Sequence, residues 1–153
     1  MSTAPAASTI LVVDDDPNCL DIAARLLQHE GYRIRIASGG QEALRIVETE
    51  PVDLILLDVM MPGMDGFAVC SALQRAGRRI PVILLTAKDD NDTRLEGMHH
   101  GVAEFLTKPI QTRELFARVR AQLHIVELGR QLDTVEKSLQ NLRVAGTRPD
   151  SSH

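Results

Sequence analysis

The sequence has 153 residues, of which 44% are hydrophobic and 25% charged, with a formal net charge of −4. This length allows one domain with a real core and an appendage. Because the charge is negative and aromatic residues are few, neither nucleic acid nor an anionic membrane is an expected partner. The absence of a long apolar run and of signal-peptide features predicts a cytoplasmic location. Cys19 and Cys70 lack metal-ligand spacing and are expected to be reduced thiols.

Hydrophobic patterning predicts five short strands that alternate with helices. Residues 1–8 are small and polar, and we expect them to form a disordered lead-in. The predicted strands cover residues 10–13, 32–37, 54–57, 82–85 and 103–107. The predicted helices between them cover residues 17–30, 41–47, 67–73 and 91–100. This alternation is typical of an α/β fold with a doubly wound, five-stranded parallel sheet.

The last predicted helix begins at Thr112 and continues to about residue 144, well beyond an ordinary helix length. It carries two apolar stripes. The first consists of Leu115, Val119, Leu123 and Val126, and it is expected to cover the sheet. The second consists of Ile125, Leu128, Leu132, Val135, Leu139 and Leu142, with alternating spacings of three and four residues.

The second stripe lies nearly opposite the first, so the same sheet cannot bury both. Two interpretations are open for residues 127–144, which we take as a helical extension of a domain that covers residues 9–126. The extension either pairs with a second copy of the chain as a coiled-coil homodimer or is a frayed lead into a further domain. Residues 145–153 are polar, and we expect them to form a disordered tail.

Side chains that could bind a ligand or take part in a reaction follow four of the predicted strands. Asp14 and Asp15 follow the first strand, and Asp58, Thr86 and Lys108 follow the third, fourth and fifth. Parallel strands bring such residues to one rim, where open sheets bind ligands, although Asp58 alone could simply cap a turn. Three close carboxylates favour binding of a hard cation such as Mg²⁺. A carboxylate can also be a nucleophile toward a phosphoryl group when an ammonium and a hydroxyl offset the developing charge.

Four motifs in this order resemble the receiver domain of two-component response regulators. They are Val12-Val13-Asp14-Asp15, Asp58 with Met61-Pro62-Gly63-Met64-Asp65-Gly66, Thr86-Ala87, and Lys108-Pro109. No single motif is specific, but the ordered combination is, and it covers residues 9–126. The resemblance implies a flavodoxin-like fold with strand order 2-1-3-4-5. It also implies a phosphorylation-dependent switch that changes a protein-protein interaction surface.

The same resemblance assigns a phosphoacceptor and a metal site. Asp58 would accept a phosphoryl group from a sensor histidine kinase or a phosphotransfer protein. The protein would then be a signalling switch, not an enzyme, although it assists its own phosphorylation and slow dephosphorylation. Asp14, Asp15, Asp58 and the backbone carbonyl of Met60 would hold Mg²⁺, with Asp15 a direct ligand and Asp14 bound through water. Asp16 matches no functional position, and we interpret it as the start of the first helix.

Four further residues take their roles from the resemblance. Thr86 is similar to the hydroxyl that moves toward the phosphate, and Phe105 to the aromatic residue that changes rotamer with it. Lys108 is similar to the lysine that pairs with the phosphate, and the peptide bond before Pro109 is expected to be cis. Taken singly, Thr86, Lys108 and Phe105 also fit ordinary structural roles. Their arrangement at neighbouring strand ends favours the functional interpretation.

Two other functional classes stay open. A haloacid-dehalogenase-type enzyme also forms an aspartyl phosphate, but it expects a second Asp two residues after the nucleophile, where this chain has Met60. The chain could also be the regulatory part of a longer regulator with a cyclase, phosphodiesterase or kinase output. No helix-turn-helix pattern or basic stripe favours DNA binding. The downstream protein target is not predictable from the sequence.

Overall fold

The computed structural model describes residues 7–87 and 91–151, with side chains as far as residue 144. The strands are β1 (Thr9–Val13), β2 (Arg33–Ala37), β3 (Leu54–Asp58), β4 (Val82–Thr86) and β5 (Glu104–Thr107). The helices are α1 (Pro17–His29), α2 (Gly40–Thr49), α3 (Gly66–Arg75), α4 (Asn91–His99) and α5 (Thr112–Ser151). Residues 1–6 of the predicted lead-in and the last two residues of the predicted tail lie outside the described residues.

The five strands form one parallel sheet in the order β2-β1-β3-β4-β5. The predicted α/β class and strand order are therefore confirmed. β3 and β4 are buried along their whole length, and β1 is buried after its first residue. Strands covered on both faces need continuous apolar runs, which explains why these three strands lack the polar alternation of a half-exposed sheet.

Helices cover both faces of the sheet, and each face has its own apolar cluster. Leu11 and Val13 of β1 point toward α2 and α3, whereas Ile10 and Val12 point toward α1 and α5. Full burial of an aliphatic side chain contributes about 1.5–3 kcal/mol relative to exposure. Because both faces of the central strands are packed in this way, the ends of these strands are held in fixed positions.

The turn from β1 into α1 is organised by Asp16. Its side chain accepts a hydrogen bond from the backbone N–H of Asn18 at 3.0 Å, and Pro17 occupies the first helical turn. The thiol of Cys19 donates to the other carboxylate oxygen at 3.3 Å. These hydrogen bonds lower the pKa of Asp16, with the thiol contributing most. The interpretation of Asp16 as the start of the first helix is confirmed.

Helix α5 begins on the sheet and extends past it. Leu115 and Val119 are fully buried in the cluster shared with α1, and Leu123 packs against that cluster. These three members of the first stripe therefore cover the sheet as predicted. Although α5 is long, neither it nor any other helix in the described ranges is apolar enough to cross a membrane.

The end of α5 differs from the prediction. The backbone is helical as far as Ser151, whereas a disordered tail was expected from residue 145 onward. That expectation depended on polar composition and on Pro149. Once a helix exists, each added residue contributes a backbone hydrogen bond for one fixed residue, whereas a proline removes one such bond and disfavours the helical conformation of the residue before it.

Candidate functional site

The strand register brings the predicted site residues to one edge of the sheet. Asp58, the last residue of β3, is the register partner of Leu85, and Thr86 is the partner of Thr107. Asp14 follows β1, whose last residue pairs with Leu57. Since all the strands are parallel, their carboxyl ends form a single rim with side chains from β1, β3, β4 and the segment after β5.

Three carboxylates form a cluster at this rim. Oxygen atoms of Asp14, Asp15 and Asp58 all lie within 4.8 Å of one another. Asp14 is 1% exposed and Asp58 4%, whereas Asp15 is exposed. The backbone N–H of Asp16 donates to Asp14 Oδ1 at 2.9 Å, which fixes that carboxylate at the end of β1. The backbone N–H of Met60 makes a weaker contact with Asp58 Oδ1 at 3.3 Å.

Lys108 is the cation of this cluster. Its Nζ donates to Asp14 Oδ2 at 2.9 Å and lies 3.4 Å from Asp58 Oδ2. Its backbone N–H donates to the carbonyl oxygen of Thr86 at 2.8 Å, which ties the residue to β4. The predicted cis peptide bond between Lys108 and Pro109 is confirmed. Burial lowers the pKa of Lys108, but the hydrogen bond to Asp14 and the charges of Asp58 and Asp14 outweigh it, so the net shift is upward.

The ionised form of Asp58 is disfavoured by its surroundings at the rim. Burial and then the charge of Asp14 raise the pKa of Asp58 to about 6, although Lys108 and the Met60 N–H oppose the shift. The rim holds three carboxylates, two of them buried, and Lys108 pairs with only Asp14 and Asp58, so negative charge is in excess when all three are ionised. A set of carboxylate oxygens with uncompensated charge fits a small, hard divalent cation.

The loop after β3 holds this arrangement through a close approach of two backbone segments. A Cβ added to Gly66 would lie 2.7 Å from the carbonyl oxygen of Asp58, so only glycine fits without a shift. The N–H of Gly66 donates to Val59 O at 2.9 Å, and Asp65 caps α3 by accepting from the Ala68 N–H. The motif contains these residues, but the steric need for glycine at this position was not predicted from the sequence.

Thr86 lies at the rim, whereas Phe105 lies farther from it along the strands. Thr86 is 3% exposed and stands at the rim itself. Phe105 pairs with Leu84 in the sheet and packs against α4, where a Cβ on Gly97 would come within 2.3 Å of the ring. The guanidinium of Arg94 lies over the same ring, 5.4 Å from its centre. Sequence reasoning missed both α4 residues, because their spacing carries no signal of an aromatic partner 8 or more residues away.

His100, the residue that follows α4, has a packing role. His100 stacks on Phe67 with ring centres 5.5 Å apart, and its Nδ1 lies 3.2 Å from Ser71 Oγ. Among the residues that the structure describes, the only group of three or more potential metal-ligating side chains is the carboxylate cluster at the rim. Cys19 and Cys70 form no disulfide.

Comparisons with known proteins match most of the chain. A family model described as the response regulator receiver domain matches residues 10–120. The alkaline phosphatase synthesis transcriptional regulatory protein PhoP of Bacillus subtilis is 42% identical over 120 residues, which cover 78% of this chain and 50% of PhoP. The response regulator MprA of Mycobacterium leprae is 38% identical over 133 residues, which cover 87% of this chain and 58% of MprA.

A solved structure shows the same fold. Chemotaxis protein CheY4 of Vibrio cholerae superposes with a TM-score of 0.73 at 29% identity, over 76% of this chain and 98% of CheY4. The chain spans about half the length of the curated relatives that it matches.

Proposed function

We propose that this chain is a signalling switch controlled by phosphorylation of Asp58, because it belongs to the family of response regulator receiver domains. The observation that carries the proposal is the position of Lys108 Nζ, 3.4 Å from Asp58 Oδ2, beside a cluster of three carboxylates. A buried carboxylate that faces an ammonium has both the nucleophile and the counter-charge that phosphoryl transfer requires.

The donor would be a phosphohistidine on a sensor histidine kinase or a phosphotransfer protein. A carboxylate oxygen of Asp58 attacks phosphorus, the new O–P bond forms as the N–P bond breaks, and the imidazole nitrogen keeps the electron pair of the broken bond. Lys108 offsets the charge on one phosphoryl oxygen, and the hydroxyl of Thr86 donates to another. The nucleophile must be ionised, which the neighbouring ammonium favours and burial opposes.

Asp14, Asp15, Asp58 and the backbone carbonyl of Met60 would hold Mg²⁺ in this site. The fit is supported by their oxygen donors and by the charge excess at the rim. When bound, Mg²⁺ neutralises phosphoryl oxygens during transfer. Asp14 has a second task, because its contact with Lys108 at 2.9 Å holds the ammonium beside Asp58 before any phosphoryl group arrives.

The switch would follow from the added charge. A phosphoryl group adds about −1.5 to −2 of charge, which draws Lys108 and Thr86 toward Asp58. Movement of Thr86 at the rim opens space next to β5, and Phe105 then leaves its position against α4. The face made by α4, β5 and α5 would therefore change, and this face continues into the long part of α5.

The output is a separate question. PhoP is named as a transcriptional regulator, and the match covers half of it. An alternative to a self-contained switch is the regulatory part of a longer regulator with a cyclase, phosphodiesterase or kinase output, and the length of α5 is the observation that favours this alternative. Our expectation that nucleic acid is not a partner concerns these 153 residues only. A kinase of this kind would meet the protein in the cytoplasm.

The phosphorylation proposal can be tested by intact-mass spectrometry of the full chain after incubation with acetyl phosphate and Mg²⁺. We expect the mass to increase by one phosphoryl group, and we expect no increase when EDTA replaces Mg²⁺ or in Asp58→Asn. Asp65→Asn is a matched control, because Asp65 lies on the neighbouring loop and asparagine keeps its capping role. Equal phosphorylation of wild type and Asp58→Asn would contradict the proposal.

A further inference from the structure

Residues 125–142 of α5 carry a line of apolar side chains that are largely exposed. We call this line the seam; it consists of Ile125, Leu128, Leu132, Val135, Leu139 and Leu142. All six side chains are between 45% and 67% exposed. Isolated exposed apolar residues are common on protein surfaces, but six on one stripe of one helix form a continuous patch, which marks an interaction site.

The domain cannot cover the seam, because the opposite side of α5 faces the domain. Leu115 and Val119 are buried on that opposite side. Farther along the helix, Arg130 forms an ion pair with Asp53, which lies just before β3. Asp53 in turn accepts a hydrogen bond from the backbone N–H of Thr9 at 2.8 Å, so the ion pair connects α5 to the first strand of the sheet. These contacts hold the helix with the seam from Leu128 onward directed away from its own domain, whereas Ile125 at its start also lines a cavity against α3 and β4.

We propose that the seam is the interface of a two-chain coiled coil that this chain forms with a second copy of itself. The spacing of three and four residues is that of the a and d positions of a heptad. A helix that packs on a globular surface needs a wider apolar face, whereas a narrow seam of this kind fits between two helices. The expected occupant is therefore another helix.

The residues beside the seam favour a second copy as that helix. The spacing of 3-4-3-4-3 allows two copies to align their seams about a two-fold axis, as any heptad seam does, so the flanking positions decide the partner. The positions that flank the seam contain no charge pattern that would select a different partner or repel an identical one. They are His124, Gly129, Gln131, Glu136, Ser138 and Arg143. Coiled coils that require a different partner specify it with complementary charges at these positions.

The extent of the seam determines what kind of dimer to expect. From Ile125 to Leu142 the helix is roughly 27 Å long, at 1.5 Å per residue. This is less than three full heptads and short for a coiled coil, and Gly129 weakens the helix within it. We therefore expect a dimer in equilibrium with the monomer, whose population depends on protein concentration, and not a permanent assembly.

The test is sedimentation equilibrium of the full chain over a concentration series from micromolar to submillimolar, without any phosphodonor. The wild type should move from a mass near 16.8 kDa toward twice that value. Leu132→Glu combined with Leu139→Glu places charges within the seam and should raise the dissociation constant at least about tenfold. The matched control is Thr134→Glu combined with Asn141→Glu, which adds the same charges at the same seven-residue spacing on the exposed side of α5 that faces away from the seam.

The control should dimerise like the wild type, and circular dichroism should show that both variants stay folded. A wild type that keeps the mass of one chain at every concentration would overturn the proposal. So would a seam variant that dimerises like the wild type, a control that loses dimerisation equally, or an assembly of more than two chains. Because no phosphodonor is present, these outcomes are independent of whether Asp58 accepts a phosphoryl group.

Discussion

Asp58, the nucleophile that we propose, combines two opposing requirements, since it must be ionised to react and is buried beside another carboxylate. Burial and the charge of Asp14 disfavour its ionised form, whereas Lys108 favours it. In the folded protein the pKa of Asp58 is about 6, compared with an ordinary value of 3.8. Ionisation of Asp58 is therefore less favourable in the folded protein than in the unfolded chain, until a cation or a modification removes the repulsion.

This balance predicts a pH-dependent stability of the metal-free protein. Between about pH 4 and pH 6 the folded state binds a proton on Asp58 more tightly than the unfolded chain does, so the stability contributed by this group falls as pH rises. At pH 7 the cost is at most about 3 kcal/mol. Asp58→Asn removes the cost, and its free energy of unfolding in EDTA should exceed that of the wild type at pH 7.

Urea unfolding in EDTA at a series of pH values measures this difference. The gain in Asp58→Asn should shrink as pH falls and vanish below about pH 4, where the carboxyl group is protonated in both states. Asp133→Asn, which removes an exposed carboxylate from α5, is the control and should show no comparable gain. A lower stability of Asp58→Asn at pH 7 would show that the ionised carboxylate is not under the repulsion described here.

At the scale of single elements, α4 and β5 meet at a contact that limits the position of Phe105. The ring lies where a side chain on Gly97 would otherwise be, and Arg94 covers it from outside. Substitution of Gly97 by alanine therefore has two opposite effects. Alanine is about 1 kcal/mol better than glycine in a helix interior, but its Cβ would lie 2.3 Å from Phe105 Cζ. Overpacking of this kind typically costs about 1–3 kcal/mol.

We expect Gly97→Ala to lower the free energy of unfolding or leave no net gain, and to displace the ring of Phe105 from α4. Urea unfolding measures the first effect, and the NMR chemical shifts of the ring measure the second. Gly129→Ala makes the same change in α5, where no atom lies within 4 Å of the added Cβ. It should leave the Phe105 signals unchanged. A clear stabilisation by Gly97→Ala with unchanged ring signals would contradict the contact.

The strands and helices differ in how far their positions and contacts could be predicted from the sequence. Residues 10–13 of β1, 54–57 of β3 and 82–85 of β4 are continuous apolar runs, so the burial and parallel arrangement of these strands were predictable, as was the meeting of their carboxyl ends. The contact between Arg130 and Asp53 was not predictable, because it joins residues 77 positions apart with no local pattern. The close approach of Gly66 to Asp58 and the helical backbone of residues 145–151 likewise depend on tertiary structure and chain continuity.

At the scale of the whole molecule, two surfaces with different proposed roles lie toward opposite ends of the sheet. The rim at the carboxyl ends of the strands holds the carboxylates and Lys108, and the seam on α5 extends past the opposite end of the sheet. Helix α5 connects the two, because it begins just after Lys108 and Pro109 and carries the seam between Ile125 and Leu142. A change at Asp58 that reaches α5 would therefore act directly on the surface that we propose for pairing.

The role of Asp58 as phosphoacceptor is tested most directly by finding where a phosphoryl group is attached after transfer from a phosphorylated histidine phosphotransfer protein. Peptide-level mass spectrometry of the wild-type chain, with Mg²⁺ present, locates the modified residue. We predict a single modified site at Asp58, and its loss when Asp58 is replaced by asparagine. A phosphoryl group on another residue, or none after the donor has been consumed, would contradict the account.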